Sequence, residues 1–138
     1  MIFSAKVFVV YGAIALTMVL LDVVWLGLVA KPLYMQGIGH LMTAQPRWAV
    51  ALLFYALYPV GLMVFGVMPQ AALPGPWKAA LYGALFGLFA YGTYDLTNLI
   101  TLRGWPVGLS ILDMAWGAVV SAVSVAAGKA VLDRFPPG

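Results

Sequence analysis

Four apolar runs dominate the pattern of the chain, and short polar segments separate them. They cover about residues 7–28, 49–68, 79–101 and 108–128. Each run is close to the twenty or so residues that an α-helix needs to cross about 30 Å of hydrocarbon. The pattern therefore predicts an all-α, integral membrane four-helix bundle, folded as a single domain over residues 1–138.

The connections between the runs are short except for the first, which covers residues 29–48. It contains Pro32, Gly37, Gly39 and Pro46 around a few apolar residues. A connection of that length is unusual in so small a domain and is typical of a segment with a role of its own. We expect the long first loop to form an interfacial helix or a lid.

The composition supports a membrane protein and excludes several other classes. Hydrophobic residues make up 64% of the chain, charged residues 8%, and the mean hydropathy is +1.03. A soluble domain carries about 25% charged residues, so this chain is not one. The net charge of +3 comes from basic residues scattered singly, which argues against a nucleic-acid partner. The lack of cysteine excludes disulfides and thiolate metal sites.

Basic residues near the ends of the runs carry the information on orientation. The side that holds the N-terminus has four of them: Lys6, Lys78, Lys129 and Arg134. The opposite side has three: Lys31, Arg47 and Arg103. The positive-inside tendency then predicts that both termini are cytoplasmic, on a count of four against three that leaves dual topology open.

Three of the four acidic residues lie inside predicted spans, at Asp22, Asp95 and Asp113. A charged side chain costs about 2.5 kcal/mol or more at the centre of a membrane helix, and such residues are functional by default. Successive spans run in opposite directions, so all three aspartates approach the face of the first loop. At 1.5 Å per residue they lie about 8–9 Å below the helix ends. We predict an acidic site at this level.

Aromatic and amide side chains reach the same level and complete the predicted site: Trp25, Tyr55, Tyr58, Tyr91, Tyr94, Asn98 and Trp116. In the third run, Tyr91, Tyr94 and Asn98 share one helix face with the aspartate. The tyrosines could equally be hydrogen-bonding glue between helices, and the tryptophans could be packing residues or part of an aromatic belt.

Four stretches taken together resemble one known family. They are Leu21-Asp22-x-x-Trp25, Phe54-Tyr55-x-x-Tyr58, Tyr91-Gly-Thr-Tyr94-Asp95-Leu-Thr97-Asn98 and Asp113-x-x-Trp116-Gly117. The chain resembles the bacterial four-span membrane proteins grouped as domain of unknown function 2177, over nearly its whole length. The resemblance implies a four-helix fold in the bacterial cytoplasmic (inner) membrane, and it implies no established activity.

Two interpretations of the aspartates stay open. In the first, they are structural carboxylates near a wet interface, hydrogen-bonded to tyrosines and paired with Arg103, Arg47 or Lys31. In the second, they form a site for a cation, a proton or a lipid headgroup. Two aspartates within about 4–6 Å of each other would share a proton. Three aspartates without an intramembrane histidine would suit a hard cation better than zinc, and we assign no metal.

Three classes of function remain. The protein could bind or transport a proton or a cationic ligand, or it could handle membrane lipids as an enzyme or as the partner of one. It could also be an assembly subunit, in a homodimer or a larger complex, whose polar layer only holds the helices together. No nucleophile motif, phosphate-binding loop or HExxH motif occurs, so the sequence indicates neither a reaction nor a cofactor.

Overall fold

The computed structural model describes residues 4–136, and every regular element in that range is helical. In chain order the helices are α1 (Ala5–Val24), α2 (Lys31–Ile38), α3 (Trp48–Leu62), α4 (Trp77–Thr101) and α5 (Val107–Leu132). The predicted all-α class is confirmed.

Two of the helices continue beyond their regular α-helical parts. A π-helical turn over Trp25–Val29 extends α1, and a π-helical turn over Met63–Val67 followed by a 3₁₀ turn over Met68–Gln70 extends α3. With these extensions, three helices within residues 4–136 are long and apolar enough to cross a membrane: Ala5–Val29, Trp48–Gln70 and Val107–Leu132. The predicted membrane character is therefore confirmed for three of the four runs.

The fourth long helix, α4, has 25 residues but is less apolar. Its second half contains Thr93, Asp95, Thr97 and Asn98, and this polar content separates it from the other three. By length it could cross a membrane, since 25 residues at 1.5 Å each reach about 37 Å.

The last two helices, α4 and α5, pack with their backbones in contact. α5 lies against both α4 and α1. A Cβ atom added to Gly87 of α4 would lie 2.1 Å from the carbonyl oxygen of Gly117 in α5, and one added to Gly83 would lie 2.8 Å from that of Ser121. Small residues allow membrane helices to approach in this way. This contact brings the second half of α4 beside the first half of α5.

The core is small, because most large apolar side chains are on the outer surface. It consists of eight buried residues: Val10, Ile14, Met18, Leu62, Val67, Ala79, Val120 and Val125. Large apolar residues such as Leu16, Leu52, Phe89 and Ile111 are exposed on the outer faces of the helices. Such an apolar exterior suits lipid, which does not penalise exposed hydrocarbon as water does.

A buried ion pair lies at the end of α5 and changes one prediction. Lys129 is 0% exposed, pairs with Asp133 and donates a hydrogen bond to the Leu73 carbonyl at 2.6 Å. The Gly75 N–H also donates to Asp133, at 3.0 Å. The helix consequently continues four residues past the predicted end at residue 128.

The long first loop contains the helix α2, which covers one end of the other helices. A Cβ atom added to Gly37 would lie 2.8 Å from the Leu109 side chain and 3.1 Å from that of Pro106, so α2 is in close contact with the start of α5. Tyr34 of α2 is half-buried and points toward the helices.

Candidate ligand-binding site

A cavity of about 600 Å³ lies beneath α2, and all five helices contribute to its wall. Eight of the predicted site residues line it: Asp22, Tyr55, Tyr58, Tyr91, Tyr94, Asp95, Asp113 and Trp116. The wall is thus largely aromatic and carries three carboxyl groups. Its volume lies within the range of about 300–1,000 Å³ that is usual for small-molecule sites.

Asp22 connects three helices, and both of its carboxyl oxygens accept hydrogen bonds. It is 5% exposed. Its Oδ2 accepts a hydrogen bond from the Tyr55 hydroxyl of α3 at 2.7 Å, and its Oδ1 accepts one from the Trp116 indole N–H of α5 at 2.9 Å. Each carboxyl oxygen therefore has a donor, and α1, α3 and α5 are joined at this level.

Asp113 is held by a chain of donors that begins in α1 and passes through α2. The Trp25 indole N–H donates to the Tyr34 hydroxyl oxygen at 3.3 Å, and the Tyr34 hydroxyl donates to Asp113 Oδ1 at 2.6 Å. Burial, and the hydrogen bond to Asp113, raise the pKa of Tyr34 above its usual range. The phenol thus keeps its proton and remains a donor to the aspartate.

Trp25 lies beside the cavity and does not line it. Its ring stacks on that of Trp116, with the ring centroids 4.5 Å apart and the planes inclined by 5°. Since the two indoles also hydrogen-bond toward different aspartates, the stack joins the Asp22 contacts to the Asp113 contacts.

Asp95 is the most deeply buried of the three aspartates and the least satisfied. It is 1% exposed, its carboxyl group lies against that of Asp113, and its Oδ2 has no hydrogen-bond partner. Two carboxyl groups in contact repel each other strongly when both are ionised. A proton or a cation between Asp95 and Asp113 removes that repulsion.

Two of the tyrosines are fixed by contacts with α5. The Tyr58 hydroxyl is 2.8 Å from Ser121 Oγ, and the Tyr58 ring is edge-on to that of Tyr91, with centroids 6.0 Å apart. The Tyr91 ring lies directly over Gly117, where an added Cβ would be 2.2 Å from the ring. The aromatic wall is therefore in close contact with the α4–α5 interface.

The turn between α4 and α5 supplies the rest of the wall. Gly104 has φ of +70°, a conformation that glycine adopts at little cost. Trp105 follows and packs edge-on against Tyr94, with centroids 5.7 Å apart. Asn98, one turn beyond Tyr94, does not line the cavity, so the predicted site is one residue too long on this helix.

The predicted charge partners are not at the site. Lys31, Arg47 and Arg103 are all exposed, and within residues 4–136 the only ion pair closer than 4 Å is that of Lys129 with Asp133. The structural interpretation of the aspartates is therefore wrong in its basic partners within residues 4–136, whereas its hydrogen bonds from tyrosines are present. The reason is the position of these residues along the helices, because the basic residues lie at helix ends and the aspartates lie farther from the ends.

Of the wall residues that sequence reasoning missed, Tyr34 and Trp105 are the two with polar groups. Tyr34 is the one tyrosine of the long loop, and the expectation of a lid there was the signal that could have pointed to it. In the part of the chain that the structure describes, no group of three or more His, Cys, Asp or Glu side chains could hold a metal ion.

Comparison with known proteins gives one family and no close relative. No curated protein and no solved structure matches the chain. A family model described as "Predicted membrane protein (DUF2177)" matches residues 7–130, a range that contains every element of the cavity wall. With its long apolar helices, the chain belongs to the DUF2177 family of membrane proteins.

Proposed function

We propose that the cavity binds the positively charged or proton-donating group of a small ligand within the membrane. The observation that carries the proposal is Asp95, a buried carboxyl group against Asp113 with one oxygen that has no donor. A buried acceptor without a partner costs about 1–3 kcal/mol, and a bound cation or donor recovers that free energy.

The charged side chains of the wall indicate which class of ligand can bind. Among the residues that the structure describes, three with carboxyl groups line the cavity and none with a basic side chain does. An anionic group would be repelled, whereas a primary amine or another cation would be attracted and would also face aromatic rings that favour cations. We infer that a primary amine is the best probe of the site.

The membrane setting of the site is part of the proposal. We infer that α4 crosses the membrane as the fourth span of a four-helix bundle, because it is 25 residues long and exposes Leu85, Phe89 and Ile100 on its outer face. The carboxyl groups would then lie near the face that α2 covers. We place the protein in the bacterial inner membrane, where its ligand is a small amine or an amine-bearing lipid headgroup.

Native mass spectrometry with butylamine tests the proposal. We expect the wild-type protein to carry one butylamine, and Asp95→Asn to bind about tenfold less, equivalent to about 1.4 kcal/mol. The reason is that the amide can donate to Asp113 itself and removes the need for a cation. Thr93→Val, on the outer surface of the same helix, is the matched control and should bind as wild type does. Equal binding by all three proteins contradicts the proposal.

A second function is favoured by one observation. Both oxygens of Asp22 are already satisfied, so this residue acts as a brace between helices, as a purely structural subunit would need. If that role extends to the whole site, Asp95→Asn should lower the stability of the protein while no amine binds to any variant. The same experiment thus separates an assembly subunit from a binding protein.

A further inference from the structure

A groove on the outer surface lies next to the acidic cavity. It has a volume of about 350 Å³ and is lined by apolar residues of α3, among them Val50, Leu53 and Leu57, with Phe86 of α4 opposite. Cavity and groove share two wall residues, Phe54 and Tyr58. The α3 residues recur every third or fourth position, so the groove follows one face of the helix for about 16 Å.

The groove exists because the backbones of α3 and α4 diverge. α4 packs against the π-helical turn Met63–Val67 and not against the regular part of α3. Across that gap the two helices meet chiefly through the side chains of Tyr58 and Phe86, whose ring centroids are 5.5 Å apart. The Phe86 ring also lies over Gly61, where an added Cβ would be 2.8 Å from the ring.

The other approach to the cavity is covered. Tyr34 and Ile38 of α2 line it from above, together with Trp105. On the side of the groove, Phe54 is 39% exposed, and the groove residues Val50, Leu53 and Leu57 are 57–59% exposed. α2 therefore covers the cavity at its end, and on the side of the helix gap the rings of Phe54 and Tyr58 lie between the cavity and the groove.

From this geometry we propose that the ligand is a single-chain amphiphile with a primary amine head. The amine lies between Asp95 and Asp113, and the hydrocarbon chain leaves the cavity past Phe54 and Tyr58 and lies in the α3–α4 groove. The ligand enters sideways from the bilayer and not through α2. This inference rests on the proposed function, since it requires the cavity to bind an amine.

The chemistry of the two compartments supports the choice of ligand. The cavity carries the carboxyl groups, so the head of an amphiphile must be cationic or a hydrogen-bond donor. The groove is apolar and faces lipid, so the tail must be hydrocarbon. The chain gains little free energy on moving from lipid to the groove, because both are apolar. The head therefore supplies the affinity, and the groove determines the route of entry.

A photoreactive dodecylamine, with a diazirine in its chain, is the probe for the experiment. The variant Leu57→Trp fills the groove, and Leu52→Trp is the matched control because Leu52 is 74% exposed on α3 outside the groove. Both side chains point outward, so both variants are expected to fold. Occupancy is measured by native mass spectrometry, and the labelled residues are found by peptide mapping. The same probe with a carboxylate head tests the choice of an amine.

We expect the amine probe to label residues 50–61 of the wild-type protein. Leu57→Trp should reduce its occupancy about tenfold, the loss of about 1.4 kcal/mol, and Leu52→Trp should leave it unchanged. The carboxylate probe should not label the groove. If the two tryptophan variants have equal occupancy and the label lies outside the groove, this inference is overturned. The proposed function still stands in that case if butylamine binds to the wild-type protein. Loss of butylamine binding as well overturns both.

Discussion

The hydrogen bond from Tyr55 to Asp22 offers a direct test of how the helices are held together. Replacing Tyr55 with Phe removes only the hydroxyl and leaves Asp22 Oδ2 buried without a donor. The other oxygen keeps its bond from Trp116. The change therefore isolates one contact between α3 and α1.

The expected loss follows from the burial of Asp22, which is 5% exposed. Leaving a buried acceptor without its partner costs about 1–3 kcal/mol. Tyr11→Phe is the matched control, since the Tyr11 hydroxyl also joins α1 to α3, by a 2.7 Å bond to the Ala56 carbonyl. That bond is exposed, and an interhelical hydrogen bond in a membrane averages about 0.6 kcal/mol. We expect Tyr55→Phe to lower the free energy of unfolding by about 1 kcal/mol more than Tyr11→Phe.

The assay is reversible unfolding in mixed micelles, followed by tryptophan fluorescence. A double-mutant cycle with Asp22→Asn tests the assignment. The amide has one acceptor oxygen and one NH2 donor in place of two acceptor oxygens. Losing the Tyr55 hydroxyl should therefore cost less free energy of unfolding in the Asp22→Asn background. If Tyr55→Phe and Tyr11→Phe have the same stability, and the cycle shows no coupling, then Asp22 does not brace the helices as described.

Two further predictions concern the packing and the covering helix. Gly87→Ala places a Cβ 2.1 Å from a carbonyl of α5 and should lower the free energy of unfolding by about 1–3 kcal/mol, whereas Gly12→Ala, with no atom within 4 Å, should not. Equal melting behaviour of the two variants would contradict the close contact. Because the pKa of Tyr34 is raised on folding, the folded protein holds the phenol proton more tightly than the unfolded chain does. The contribution of Tyr34 is thus complete below its unfolded pKa of about 10 and declines at higher pH. Protection of the amides of residues 31–38, the ratio of the intrinsic to the observed exchange rate, should fall above that pH in the wild type. Tyr34→Phe should show lower protection at every pH, without the additional alkaline fall, and an unchanged fall in that variant would assign it to another group.

The helices could be predicted because each apolar run has the length of a bilayer span. That the three aspartates lie at one end of the helices could be predicted too, since antiparallel helices with a fixed rise per residue bring Asp22, Asp95 and Asp113 to the same level. The level of a residue along its helix does not determine the direction in which its side chain points, which depends on the rotation of the helix about its axis. The sequence therefore could not indicate that Asp95 meets Asp113 while Asp22 bonds to Tyr55 and Trp116.

The parts that sequence reasoning missed depend on contacts between distant segments. α2 has eight residues, too few for a clear periodic pattern, so the position of Tyr34 depends on its fit against α5. Lys129 has the spacing of a helix-end residue, yet the loop carbonyl of Leu73 and the carboxylate of Asp133 keep it buried. Only the packed structure brings these groups together.

The stacked rings of Trp25 and Trp116 provide a spectroscopic signal from the site without any label. Two nearly parallel indoles 4.5 Å apart couple their electronic transitions, so they should produce a strong near-ultraviolet circular dichroism signal. One ring donates to the tyrosine that holds Asp113, and the other donates to Asp22. Any event at the carboxyl groups that shifts either ring changes the coupling. Occupancy of the cavity can accordingly be followed in real time as an optical signal from the unmodified protein.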